Sequence, residues 1–318
     1  MMTGSKLSAS IVIRAYNEEK HIDKLLEGIL LQTVKDVEIV LVDSGSTDRT
    51  VEIASRYPVK IVQINPQEFS FGYSLNQGIL ACSHELVAIA SAHVYPIYPD
   101  WLEVLLEPFV NPKVALTYGK QRGNESSQYS EEQLFRQWFP DGQPSTQEHP
   151  FCNNANAAIR KALWQELQYD ENLPGLEDLD WAHRVMKLGY SIQYVPNAEI
   201  IHVHQENPKG IYRRYLREGM AFKRIFPHEQ FQLWDFLRLS VANIITDWQA
   251  AAGEKKLKAH WKDIIWFRLM QFWGTFRGYR RSGPLTWQLK QRFYYPKLVN
   301  QTETQNSTRK VEPIAYNK

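Results

Sequence analysis

Cysteine is scarce: Cys82 and Cys152 are the 2 thiols in 318 residues, far apart and without metal-ligand spacing. That excludes a disulfide framework and predicts two small, reduced, buried side chains. Charge excess is missing as well, with 37 Lys and Arg against 35 Asp and Glu for a net +2. This argues against a nucleic-acid binder and confines any basic surface to a local patch. No apolar run reaches the roughly 20 residues of a spanning helix, and Met1 to Lys6 leads into a strand without an apolar signal region. The expected location is therefore cytoplasmic, with peripheral contact at the inner face of the plasma membrane. No Gly-x-Gly-x-x-Gly follows the first apolar run, which disfavours a dehydrogenase. Nor does a Gly-rich phosphate loop with a following basic residue stand near the N-terminus, as a nucleotidyltransferase would need.

What is present is alternation. Strand patterns at Ser10 to Arg14, Val37 to Val42, Val59 to Ile64, Leu86 to Ala90 and Val114 to Tyr118 alternate with helical ones at His21 to Leu31, Asp48 to Arg56, Tyr73 to Cys82 and Trp101 to Phe109. This predicts an α/β fold with a mixed, mostly parallel sheet and ligands at the carboxyl ends of its strands. The polar stretch Gln121 to Glu148, with a short helix over Glu131 to Trp138, reads as a mobile substrate-side excursion. Asn156 to Arg160, an acidic helix and the strand-like Ser191 to His204 follow. Beyond Pro208 the pattern turns helical and aromatic, over Ile211 to Phe226, Phe231 to Ala251 and Ala259 to Tyr279. Residues 8–208 are expected to form the catalytic domain, 209–300 a helical extension and 301–318 a disordered tail.

Chemistry concentrates in three places. Glu177, Asp178 and Asp180 open a helix bracketed by Gly175 and Gly189, where the helix dipole favours ionised carboxylates competent to accept a proton. The competing reading is an ordinary acidic first turn, with Asp180 pairing to Arg184. The first two strands end in Arg14-Ala15-Tyr16-Asn17-Glu18-Glu19 and Val42-Asp43-Ser44-Gly45-Ser46-Thr47-Asp48. Side by side, these ends form the rim of a nucleotide pocket, with Tyr16 stacking on a base and Asp43 accepting from a base imide or ribose hydroxyls. Thr47 or Asp48 would cap the next helix.

Those two strand ends, Ser74-Leu75-Asn76-Gln77-Gly78 and Glu177-Asp178-Leu179-Asp180, in this order, closely resemble the signature of family 2 glycosyltransferases over residues 8 to about 226. The resemblance implies a GT-A fold and transfer, with inversion, of a sugar from a nucleoside-diphosphate donor such as a UDP- or dTDP-sugar. The acceptor would be a hydroxyl of a saccharide or lipid-linked molecule in bacterial surface-polysaccharide synthesis. It implies donor contacts from Tyr16, Asn17, Glu18, Asp43, Ser46, Asn76 and His93, and makes Asp178 the base on the acceptor hydroxyl. Acceptor or sugar contacts would come from Asn154, Asn156, Glu177, Asp180 and Trp181. Inverting transfer is a single displacement, so one base suffices and Glu177 and Asp180 are free to orient the acceptor and anchor the helix.

The departure is Ser91-Ala92-His93, where the family usually carries a metal-binding Asp-x-Asp. His93 would ligate Mn²⁺ or Mg²⁺, joined by His202 or His204, or would instead donate directly to phosphate as an imidazolium. A Ser-Ala-His variant resembles bacterial rhamnosyltransferase-like members. Arg214 or Arg217 would serve the diphosphate, and Arg213 a solvated helix face. In the last helix an apolar stripe from Trp261 to Phe276, with Lys258, Lys262, Arg268, Arg277, Arg280 and Arg281, fits either a membrane surface through 258–281 or packing on the catalytic domain. The rival function is an inactive family member that binds nucleotide sugars or a membrane surface.

Overall fold

The computed structural model describes residues 7–143, 145–204, 206–281 and 311–316. The chain opens with β1 (Ser8–Ala15), α1 (Ile22–Leu30), β2 (Asp36–Asp43), α2 (Thr50–Ala54), β3 (Val59–Gln63) and α3 (Phe71–Leu80). Then come β4 (Leu86–Ser91), β5 (Val94–Pro96), α4 (Trp101–Leu106), β6 (Val114–Arg122), α5 (Tyr129–Trp138), β7 (Ser145–Thr146), β8 (Asn156–Arg160) and α6 (Lys161–Glu166). α7 (Glu177–Lys187), β9 (Ser191–His202), α8 (Pro208–Ile225), α9 (Leu233–Gly253) and α10 (Leu257–Tyr279) complete it. The sequence pattern omits β5, β7 and α6, each too short to show a period.

The strands order as β3-β2-β1-β4-β8-β6-β9-β5, with β7 also paired to β9. β3, β2, β1 and β4 are parallel, whereas β8 runs antiparallel to both β4 and β6. Side chains alternate as the pleat demands. Ile11 and Ile13 of β1 pack with α1 and α4, and Val12 packs with α3 and α7 from the other face. Because β2 and β4 flank β1 on opposite sides, the chain reverses its winding at β1, which opens a crevice beyond the carboxyl ends of β1 and β4. Register puts Ala15 opposite Asp43, and Arg14 opposite Ser91, on the rim of that crevice.

Three expectations change. The Gln121 to Glu148 stretch is not a loose excursion, because α5 buries Leu134 and Phe135, and Ser130 bonds to Asp247 at 2.6 Å. Of the two readings left open for α10, packing holds along one face, while Trp261 and Trp266 stay exposed on the other. The helix buries Ile264, Phe267 and Phe276, and Arg268, expected in a basic stripe, makes a two-pronged buried pair with Asp247 at 2.8 and 2.9 Å. Its glycines let α8 close in: a Cβ at Gly278 would stand 2.5 Å from the Leu216 carbonyl oxygen. The disorder expected of the tail does not extend to residues 311–316, where the Ile314 N–H bonds to the Ile97 carbonyl at 2.9 Å, and residues 301–310 lie outside the described residues. Both cysteines are free and buried, as their scarcity implied. Among the described residues no helix is long and apolar enough to cross a membrane.

Candidate active site

The loops after β1 and β2 are tied to each other before any ligand arrives. The Asn17 N–H donates to Ser46 Oγ at 2.9 Å, and Asn17 Oδ1 accepts from the Thr47 N–H at 2.8 Å. Asn17 holds a φ of +56°, a left-handed conformation that asparagine tolerates better than most residues. The Glu18 N–H reaches Thr50 Oγ1 at 2.7 Å, and Asp48 accepts from the Thr50 N–H at 3.0 Å, the helix-start role expected of it. Asp43 is buried with its carboxylate on the Gly45 and Ser46 amides at 3.2 Å. Tyr16 stands half-buried between β1 and this latch.

One residue pair beyond β4, the strand end becomes a histidine cluster. His93, His202 and His204 each offer a ligand atom within 4.8 Å of the others, and among the described residues they are the group able to hold a metal ion. Their order follows from topology, since Val94 of β5 pairs with His202 of β9 and the Val203 N–H bonds to the His93 carbonyl at 3.1 Å. Each ring has an oxygen acceptor at Nδ1: Glu18 for His93, Gln121 for His202 and Glu131 for His204, all at 2.7 Å. Carboxylates and amide oxygens only accept, so Nδ1 of each ring donates, which leaves Nε2 as the nitrogen a metal would take. Imidazoles oriented through Nδ1 in this way are what metal-binding histidines show. Among the described residues the buried Nε2 of His202 has no partner, and burial holds that ring well below its ordinary pKa, hence neutral. At His93 burial opposes the charged form, but the Glu18 carboxylate outweighs it and leaves the pKa above its ordinary value.

The acidic helix lies across the same rim. Leu176, at φ +55°, turns the chain into α7, a strained conformation for a branched residue. Asp178 is 9% exposed, and its carboxylate accepts from the Asn154 N–H at 3.1 Å and the Leu179 N–H at 2.8 Å. Burial first, and Glu177 second, push its pKa up to about 7, against the two amides and Arg14. Glu177 is itself held by Arg14 at 3.3 Å and by the Asn154 amide at 3.4 Å. Arg14 thus joins the two halves, being in register with Ser91 on β4 and ion-paired beside Asp178. A carboxyl with this pKa accepts protons best just above neutrality. We therefore expect kcat/KM to rise with pH through about 7 as Asp178 ionises, and a flat profile from pH 5 to 9 would contradict it. Stability runs the other way: the fold holds this proton more tightly than the unfolded chain does, so stability falls as pH rises from the ordinary carboxylate range to about 7.

Several expected contacts are used up inside the protein. Asn76 accepts from Trp164 Nε1 and the Tyr169 N–H, and donates to the Tyr169 carbonyl and Glu171, which fills its amide and removes it from the donor wall. Asn156 accepts from Trp101 Nε1 and donates to the Lys120 and Ala198 carbonyls, so it pins strands and does not reach a sugar. Trp181 is fully buried in the core. Asp180 pairs with Arg184 at 2.7 Å, the ordinary helix-surface interaction. Arg214 is buried between Glu131 at 2.8 Å and Glu206 at 2.9 Å, a supporting role and not a diphosphate contact. Arg14, Gln121 and Glu131 carry the site's second layer without a local sequence signal, because only the fold brings them to residues 163, 81 and 73 positions away.

Comparison with known proteins agrees with this geometry. Residues 10–167 match the model of glycosyl transferase family 2. The O-antigen chain rhamnosyltransferase WbaN of Salmonella anatum is 27% identical over 201 residues, which are 59% of this chain and 64% of that protein. The O-antigen chain rhamnosyltransferase RfbN of Salmonella typhimurium is 23% identical over 227 residues, 67% of this chain and 72% of its own. This chain thus spans a little under two thirds of the length of WbaN. Among solved structures, the mannosyltransferase PcManGT of Pyrobaculum calidifontis, in complex with GDP-Man and Mn²⁺, superposes with a TM-score of 0.57 at 17% identity, over 91% of this chain and 88% of that one. At that identity it speaks for the GT-A-like fold. On the matched family and the rhamnosyltransferase relatives together, residues 10–167 form a family 2 glycosyltransferase domain, and the chain resembles bacterial O-antigen rhamnosyltransferases.

Proposed function

We propose that this transferase moves a sugar, with inversion, from a nucleoside-diphosphate donor to a hydroxyl of a saccharide or lipid-linked acceptor in surface-polysaccharide synthesis. The observation that carries the reading is Asp178, a buried carboxyl with its pKa raised to about 7 and held by two amides on the rim shared with the histidines. In this reading Asp178 removes the acceptor proton as the oxygen attacks the anomeric carbon. Asp43, Tyr16 and the Asn17–Ser46 latch form the nucleoside edge. His93, His202 and His204 would hold a divalent cation, and their nitrogen donors suit Mn²⁺ better than Mg²⁺, which prefers oxygen. When bound, such a cation neutralises the leaving diphosphate. The test is calorimetry with UDP, dTDP and GDP, with and without Mn²⁺. One nucleotide binding more tightly with Mn²⁺, and more weakly in Asp43→Ala, supports the reading. Binding of none removes it.

A lipid-linked acceptor calls for a membrane-facing surface, and α9 offers a better one than α10. Leu233, Leu237, Val241 and Ile245 recur every fourth residue on its exposed side, with Trp234 beside them at 68% exposure. Exposed cations lie around the α9–α10 pair, among them Lys255, Lys258, Lys262, Arg277 and Arg280. An apolar row flanked by cations matches an anionic bilayer, whereas a second copy of the same basic face would be repelled. Sedimentation with vesicles containing anionic phosphatidylglycerol should capture the protein. Vesicles of phosphatidylcholine alone, or a Trp234→Glu/Val241→Glu variant, should capture it at least about tenfold less, since each cation near an anionic surface is worth about 1 kcal/mol. Equal capture in all cases would refute the surface.

A further inference from the structure

We infer that residues 311–316 form a strap that holds β5 in place, with Tyr316 as a positioning residue for the histidine cluster. The inference rests on the proposed metal-binding role of that cluster only for its functional consequence.

β5 is three residues long and lies at the edge of the sheet, yet it sets the relation between His93, which immediately precedes it, and His202, its partner in register. Three residues of one-sided pairing are a weak hold, because an edge strand leaves half of its backbone groups without a neighbouring strand. The far end of the chain supplies contacts there. The Ile314 N–H donates to the Ile97 carbonyl at 2.9 Å, and the Tyr316 hydroxyl donates to the Pro96 carbonyl. Ile97 in turn donates its N–H to the Glu199 carbonyl of β9 at 3.1 Å, so strap, β5 and β9 are laced through adjacent residues.

The Tyr316 ring then continues inward. Its centroid lies 5.8 Å from that of Tyr95, whose hydroxyl bonds to His21 Nδ1, and the His21 ring stands edge-on to His93 at 6.5 Å. α1 makes room for the tyrosine at one point, Gly28, where any Cβ would collide with the Tyr316 hydroxyl. Tyr316 therefore sits in a slot bounded by α1 and β5. Its contacts reach the cluster by two routes, the β5 backbone and the Tyr95–His21 pair.

The experiment compares wild type, Tyr316→Ala, Tyr316→Phe and Gly28→Leu in the full chain. Hydrogen exchange at the Ile97 and Val203 amides, which bond β5 to β9 and the cluster strand to His93, should speed up about tenfold in Tyr316→Ala and Gly28→Leu. The phenylalanine variant, which keeps the ring and loses one hydrogen bond, should fall between them and wild type. Mn²⁺ affinity by calorimetry should drop about 10- to 100-fold in the same order, the usual effect of loosening the support around metal ligands. Exchange unchanged in Tyr316→Ala and Gly28→Leu would overturn the strap. Faster exchange in a protein whose wild type binds no divalent ion would uphold the strap and reject the metal reading instead.

Discussion

Replacing Asp178 with asparagine lowers kcat by about 10²- to 10⁴-fold, the range a general base supplies, and leaves donor affinity unchanged. The physical ground is the state of this one carboxyl. It is buried beside Glu177, so its ionised form is disfavoured until near neutral pH, while the Asn154 and Leu179 amides keep that form within reach. Asparagine keeps the size and loses the basicity. Donor affinity should be spared because the proposed nucleoside edge lies in the loops after β1 and β2, which are latched to each other by Asn17 and Ser46 independently of α7. Asp180→Asn is the control, since Asp180 is committed to Arg184 and such helix-surface pairs are worth about 0.3–0.5 kcal/mol. Steady-state kinetics of both variants check the assignment. Near wild-type turnover in Asp178→Asn would remove the residue from its role.

His202→Ala abolishes metal-stimulated turnover and weakens Mn²⁺ binding by at least about 100-fold, more than the 10- to 100-fold that loss of an outer partner usually costs. Of the three rings His202 is the most committed. It is buried and neutral, its Nδ1 faces Gln121, and its buried Nε2 has no partner among the described residues. A buried polar atom left without a partner is costly, and a bound ligand is one reason to keep one. Gln121→Leu should act in the same direction but less strongly, since it removes only the oxygen that orients the ring. Calorimetric titration of Mn²⁺ into both variants separates them. Wild-type affinity in His202→Ala would leave the cluster a packed core of rings.

The fold was legible because the chain alternates regularly: β1, β2, β4 and α1 sit within one or two residues of their periodic patterns. Asp178 and the histidines could be singled out because each lies in a short motif whose residue type limits its chemistry, and the fold places both at one rim. Asn76, Asn156 and Trp181 read as site residues in the sequence, but their amide or indole groups are paired to partners that only the tertiary structure supplies. Gln121, Glu131 and Arg14 show the converse. Polar side chains at strand ends and in a serine- and glutamate-rich stretch look like solvent-facing residues until β6, β9 and α5 are brought together around the histidines. The tail's polar composition hid Ile314, whose backbone N–H bonds to the Ile97 carbonyl, and Tyr316, whose ring meets Tyr95.

The most direct measurement is the anomeric configuration of the glycoside formed from the donor whose nucleotide binds best, read by proton NMR. A single displacement with Asp178 as the only base predicts the inverted anomer. A product that retains the donor configuration would contradict that mechanism.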